Sequence, residues 1–394
     1  VAVIVVAGAI AFKNSQKNDA PPQRSSTGAP ATSPSAGATS DAAPANPTSK
    51  PVAIQGAFSI KIGDKIADGV PGPGAGIIES PYSQDSYVFS AAPKQRVYFR
   101  QLRHSTGLSY INWRLTDADG AEVFNTCLGC GEPGVQILTK GGSYTLTVGG
   151  DKDRATGTYQ LQLFAVPAPN QFSIRIGDAI KESVPGAGAG VIESPGAEDV
   201  YTFSATPRQN VYFRMREHST GLSYIKWKLT DENGMELFDS CLGCGEPGAL
   251  VLVRGGTYTL TVGNQKDPSS GTYRLQTYNI PPPDRFSIKI GDKIKPGIPG
   301  AGAGRIEAPG AEDVYVFSAA AGQKVSFHLS QRGKGMEYLK WRLVDDNDME
   351  LFDACLACSD PAVQTLTKGG SYTLTVGNRR NPATGEYGFE LDSQ

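Results

Sequence analysis

The sequence predicts an all-β protein: three tandem antiparallel β-sandwich or jelly-roll domains behind a disordered linker and a truncated hydrophobic N-terminal segment. Three observations predict it. "FSIKIGD" at Phe58, "FSIRIGD" at Phe172 and "FSIKIGD" at Phe286 recur every 114 residues. That period is too long for a solenoid repeat and is the size of a whole sandwich domain. Short alternating runs rich in Tyr, Val, Thr and Phe fill each copy, with Gly, Asn and Asp between them. The 47 Gly and 27 Pro, set against 4 Met and 3 His, suit strands joined by many turns, and no stretch shows a 3.6-residue period.

Taken in order, residues 1–12 read "VAVIVVAGAIAF", short of the about 20 apolar residues that cross a bilayer. This reads as a truncated transmembrane or signal-anchor segment, and the Ala7-Gly8-Ala9 and Ala9-Ile10-Ala11 triplets also fit a signal-peptide cleavage pattern. Either reading places the rest of the chain outside a membrane, held or released there. Residues 13–56, rich in Ala, Pro, Ser and Thr, cannot bury enough apolar surface to offset their ordering entropy and form an extended spacer.

The repeats occupy residues 57–168, 171–282 and 285–394, and the same offset carries Trp113 to Trp227 and Trp341. In the second copy "DVYTFSA" sets Tyr201 and Phe203 on one side, and "NVYFRM" sets Val211, Phe213 and Met215 together. "YIKWKLTDENGMELF" is a hairpin turning at Asp231 to Gly234. "RGGTYTLTVG" and "GTYRLQ" complete the unit, while "VPAPNQ" and "IPPPDR" form proline joints between units.

The series "GAEDVYTFSA…QNVYFRM…WKLTDENGMELF…GGTYTLTVGN…SSGTYRLQ" resembles the bacterial pre-peptidase C-terminal domain, a small β-sandwich of secreted proteases and envelope proteins. The resemblance covers each repeat from the "EDVY" strand onward. It implies an accessory or binding role without catalytic residues, with calcium or a substrate surface as the ligand. The "FSIKIGD" opening and the paired cysteines are not part of it.

The repeats also test for chemistry, since a residue at work in every module should recur in every module. His104 and His218 correspond, but Arg332 takes the third position, and His328 answers to Arg100 and Arg214. A repeated Ser-His-Asp or Cys-His site is therefore absent, as are GxSxG, HExxH and Walker-type loops. "PGPGAG" and "PGAGAG" lack the Lys and the helix that phosphate binding needs and read as flexible turns. Asp117-Ala118-Asp119-Gly120, "DENG" and "DDND" read as hairpin turns. A weak calcium site there, or at Glu79, Asp85 and their equivalents, stays open, and no other cofactor is expected.

Cys127 and Cys130, Cys241 and Cys244, and Cys355 and Cys358 are candidates for zinc, redox chemistry or a covalent staple. A closed all-cysteine zinc site needs four thiolates, and a thioredoxin-like redox couple needs its first Cys at a helix N-terminus, which lowers the thiol pKa. Two cysteines in a loop of a β-domain supply neither, so three local disulfides are expected.

Alternation puts Ile111, Trp113 and Leu115 on one face, which makes the tryptophan a core residue. Tyr110 and Arg114 fall on the other, with Tyr224 and Lys228, and Tyr338 and Arg342, as counterparts. If the "VYFR" strand lies beside them, Tyr98 and Arg100, and Tyr212 and Arg214, enlarge a tyrosine and cation patch. That patch suits a cell-wall polymer, a glycan or a protein. A net charge of −2 leaves no footprint for nucleic acid. The functional expectation is a non-enzymatic, extracellular and membrane-tethered region of a cell-envelope protein that binds through three modules. The alternatives are the sensor of a receptor-type serine/threonine kinase and the accessory region of a secreted protease.

Overall fold

The alternating runs of the first copy become ten strands in the computed structural model, which describes residues 56–150 and 152–394. The expected hydrophobic segment, and the linker up to Gly56, lie outside the described residues. In chain order the strands are β1 (Phe58–Ser59), β2 (Lys65–Ile66), β3 (Ile77–Ile78), β4 (Gln84–Ala91), β5 (Gln95–His104), β6 (Asn112–Asp117), β7 (Glu122–Cys127), β8 (Gly134–Leu138), β9 (Gly142–Gly149) and β10 (Gly157–Val166). One sheet has the order β1-β4-β9-β6-β7. The other runs β2-β10-β5-β8, with β3 also on β10. Pairing is antiparallel except for β1, which runs parallel to β4 and sets Phe58 beside Tyr87. Modules two and three repeat both sheet orders, from Asn170–Ser173 to Gly271–Ile280 and from Asp284–Ser287 to Gly385–Ser393. Among the described residues no helix is long and apolar enough to cross a membrane.

The inward face of each alternating strand builds the core. Ile111, Trp113 and Leu115 are buried with Tyr87, Phe89 and Phe99. Trp113 meets Phe124 edge-on at 5.4 Å between ring centres, and Trp227 meets Phe238 at 5.2 Å. The tryptophans are therefore core residues and offer no face to a sugar. Each such ring contributes about 2–3 kcal/mol by leaving water.

The "EDVY" and "GTY" motifs meet in this core. Asp85 accepts from the hydroxyls of Tyr87 and Tyr159, and the two hydroxyls lie 2.8 Å apart. Asp199 with Tyr201 and Tyr273, and Asp313 with Tyr315 and Tyr387, repeat the set. The Gly-rich loop closes it, because the Gly76 N–H donates to the Tyr87 hydroxyl at 2.8 Å. Burial raises all three aspartates above the usual carboxylate range, Asp313 to about 7.

The Asp117 loop is a hydrogen-bonded turn. One oxygen of Asp117 accepts the N–H of Asp119 and of Ala121 at 3.0 and 2.9 Å, and the other takes the Lys140 ammonium at 2.6 Å. That ammonium holds Asp117 below its ordinary pKa. Asp231 and Asp345 make the same two backbone bonds in their modules.

Candidate functional site

The six cysteines pair within their own motifs, Cys127 with Cys130, Cys241 with Cys244 and Cys355 with Cys358, at Cα separations of 5.0, 5.0 and 5.3 Å. Each bridge closes the turn that leaves the first sheet after β7, and a buried leucine (Leu128, Leu242, Leu356) pins that turn to the core. The residues just beyond the bridge carry more consequence. Glu132 accepts the N–H of Gln101 at 3.0 Å and the hydroxyl of Tyr98. Glu246 does the same with Met215 at 3.1 Å and Tyr212 at 2.5 Å. Burial pushes both carboxyls up, although their tyrosines work against it.

Tyr98 and Tyr212 are wholly buried because the following module covers them. The Tyr98 hydroxyl donates to the carbonyl of Lys266 at 3.0 Å, and Arg100 donates to the carbonyl of Pro268 at 3.2 Å. The Val135 N–H reaches the carbonyl of Gln265 at 2.8 Å. One module on, Tyr212 donates to Arg380 at 3.2 Å, Arg214 to Pro382 at 2.9 Å and Ala249 to Arg379 at 2.7 Å. The same joint thus occurs twice, and Tyr212 belongs to the hydrophobic core of module three. Two glycines permit the approach: a Cβ on Gly196 would lie 2.8 Å from the Tyr98 ring, and one on Gly310 would lie 2.9 Å from that of Tyr212.

This corrects the expected patch. The "VYFR" strand (β5) is in the second sheet while β6 is in the first, so Tyr98 and Arg100 do not extend the surface of Tyr110 and Arg114. Tyr212 and Arg214 likewise belong to a joint. Arg114 stays on the outer face of the first sheet, but Tyr110 and its counterparts Tyr224 and Tyr338 are not on the strand: they sit in the turn just before it. Tyr110, Tyr224 and Tyr338 are 86, 82 and 76 % exposed. Leu108 and Ile111 are drawn into the core on either side of Tyr110, which sends its ring outward. Beside β6 an open groove of ≈ 360 Å³ is lined by Gln84, Asn112, Arg114, Asn125, Lys152 and Asp153. Its counterpart in module two, with Lys226, Lys228 and Asp239, holds ≈ 170 Å³. There Lys226 pairs with Asp239 at 3.1 Å. In module three Lys340 pairs with Asp353 at 2.8 Å and Arg342 with Glu350 at 2.9 Å. Arg114 has no ion pair among the described residues, and neither has its counterpart Lys228, whereas Arg342 pairs with Glu350.

Of the expected calcium positions, the structure brings oxygens together in module three, where Asp284, Glu307 and Asp313 each offer one within 4.8 Å of the others. In module two the amide of Asn170 takes that place and donates to Glu193 at 2.7 Å and to Asp199 at 3.1 Å. The three histidines sit in three settings: His104 meets Ser109 at 3.2 Å, His218 the carbonyl of Ser219 at 3.0 Å and His328 the carboxylate of Asp360 at 2.6 Å.

The joint was missed from sequence. Its signal was present in the repeat: Gly196 and Gly310 agree while Tyr82 differs, and Glu132 and Glu246 agree while Asp360 differs.

No family model and no curated protein sequence matches the chain. Among solved structures, the pre-peptidase C-terminal domain of collagenase from Bacillus anthracis is 22% identical. The match covers 28% of this chain and 97% of that one, with a TM-score of 0.23. The CUB1-EGF-CUB2 domains of rat MASP-1 are 13% identical over 56% of this chain and 99% of theirs, with a TM-score of 0.21. The corresponding domains of human MASP-1/3 give 13%, 55%, 99% and 0.20. The first of these is a member of the family that the motifs resemble, matched over about the length of one module.

Proposed function

We propose that this is a non-enzymatic extracellular region of a cell-envelope protein, which presents three like modules to a glycan, an anionic cell-wall polymer or a protein. The observation that carries the reading is the set of Tyr110, Tyr224 and Tyr338, each more than three-quarters exposed at the same place in its module. A ring held in water serves no packing purpose, and a flat exposed ring suits a sugar or a polymer segment. Arg114, which lines the ≈ 360 Å³ groove and has no ion pair among the described residues, is the natural partner for an anionic group. Three weak sites on one chain raise avidity without new contacts. Three disulfides accord with an oxidising exterior, and the apolar start followed by the linker accords with display away from a membrane. No catalytic set of residues recurs, and the histidines differ in setting.

The test is retention on purified cell-wall fractions. Tyr110→Ser is expected to weaken retention by about tenfold, ~1.4 kcal/mol, as for a contact residue at a binding surface. Replacing all three tyrosines should abolish it, and Arg114→Glu should weaken binding most at low salt. A triple variant that folds and is retained like the wild type sinks the proposal.

A further inference from the structure

Like modules joined head to tail raise a problem of propagation. The joint is heterologous: the Tyr-Arg-Glu face of one module meets the Gly-Pro loop face of the next. A free face of either kind would accept a module from another chain, and heterologous contacts that do not close run on into filaments. The two end faces of this array differ from the interior at the positions the joint uses.

On the loop face of module one, Tyr82 stands where modules two and three have Gly196 and Gly310. Tyr82 keeps the left-handed backbone of those glycines, with φ of 71° against 74° and 76°. The loop is thus preserved while a ring occupies the space into which Val135 and Tyr98 would fit. That ring is 48% exposed, and Arg154 lies over it at 5.8 Å while donating to its hydroxyl at 2.6 Å. Arg154 itself replaces Pro268 and Pro382, whose carbonyls receive Arg100 and Arg214.

The opposite face of module three is altered as thoroughly. Ser326, His328 and Asp360 stand for Tyr98, Arg100 and Glu132. The phenol that reaches into the next module is gone, and His328 turns to Asp360 instead. Ala362 replaces Gly134 and Gly248, where a Cβ would lie 2.8 and 3.1 Å from carbonyl oxygens of the following module. Val363, the counterpart of the joint residues Val135 and Ala249, is 50% exposed.

We infer that Tyr82 with Arg154, and Ser326, His328, Asp360 and Ala362, close the two end faces to this joint. A second copy of the chain, or any further module of the same kind, is refused there. Both faces are thus closed to this joint by their own residues. In a solenoid, terminal repeats do the same work by carrying atypical outer faces.

Reopening the faces tests this. Tyr82→Gly with Arg154→Pro restores the loop face, and Ser326→Tyr, His328→Arg, Asp360→Glu and Ala362→Gly restore the other. Only Pro167, Ala168 and Pro169 separate the last strand of module one from the first of module two, and a short linker supplies an effective concentration of about a millimolar. At ~1 mM in sedimentation, the full wild-type chain should stay monomeric, and the chain opened at both ends should grow into open-ended assemblies. An equimolar mixture of the two singly opened chains should stop at a one-to-one dimer. Far-ultraviolet circular dichroism and melting matched to the wild type show that each variant is folded. Self-association of the wild type through these faces overturns the inference, as does a folded, doubly opened chain or mixture that stays monomeric.

Discussion

Asp313 shows how one side chain ties stability to pH. Burial raises its pKa to about 7, with Asp85 and Asp199 raised in the same direction. The folded chain therefore keeps protons that the unfolded chain releases above about pH 4. Stability from this source is fully present at the lower pH and is lost as pH rises through the folded value. Module three should lose on the order of 2 to 4 kcal/mol between pH 4 and pH 7.5 through Asp313 alone. Asp313→Asn keeps an acceptor for Tyr315 and Tyr387 without the charge, so its unfolding free energy should be flatter over that range in denaturant titrations. An unchanged slope would remove Asp313 as the cause. At the same scale, Glu132 and Glu246 turn a loop residue into the anchor of a tyrosine, which a sequence reading of the paired cysteines did not reveal.

The paired-cysteine turn is the element that carries those anchors. Closing so short a loop stabilises it by about 2 kcal/mol on the chain-entropy estimate. Intact-mass measurement of exported protein should show three disulfides, and reduction should release no metal. Because Glu132 and Glu246 lie two residues beyond their bridges, reduction should also raise amide exchange at Gln101 and Met215, whose N–H groups they hold. Leu329 is held by Asp360 in the same way and should respond alike, yet no joint depends on it among the described residues. Six free thiols in exported protein would return the motif to redox chemistry.

Across the whole molecule, the two joints couple three domains that each have their own core. Gly310→Tyr gives module three the loop face of module one. It should free the Ala249 N–H, the Tyr212 hydroxyl and Arg214 from their acceptors on module three. At about 1 kcal/mol for each hydrogen bond, protection of the Ala249 amide should fall by about a hundredfold. Melting should then resolve module three from the other two. Unaltered protection at Ala249 would show that the joint does not depend on this glycine.

The repeat, the all-β class, the inward tryptophans, the Asp117-type turns and the local pairing of cysteines were legible in the sequence. Each follows from spacing along the chain: period two decides which side of a strand faces the core, and a three-residue separation decides which thiols can meet. The fate of Tyr98, Arg100, Tyr212 and Arg214 was not legible. Alternation assigned them outward correctly, but a strand pattern cannot say whether its outer face meets water or another module. Only the tertiary structure decided that, by placing β5 and β6 in different sheets and by laying the next module's loop across the first of them. The physical reason is that burial of an outward residue depends on contacts between residues more than a hundred positions apart, which no local period encodes.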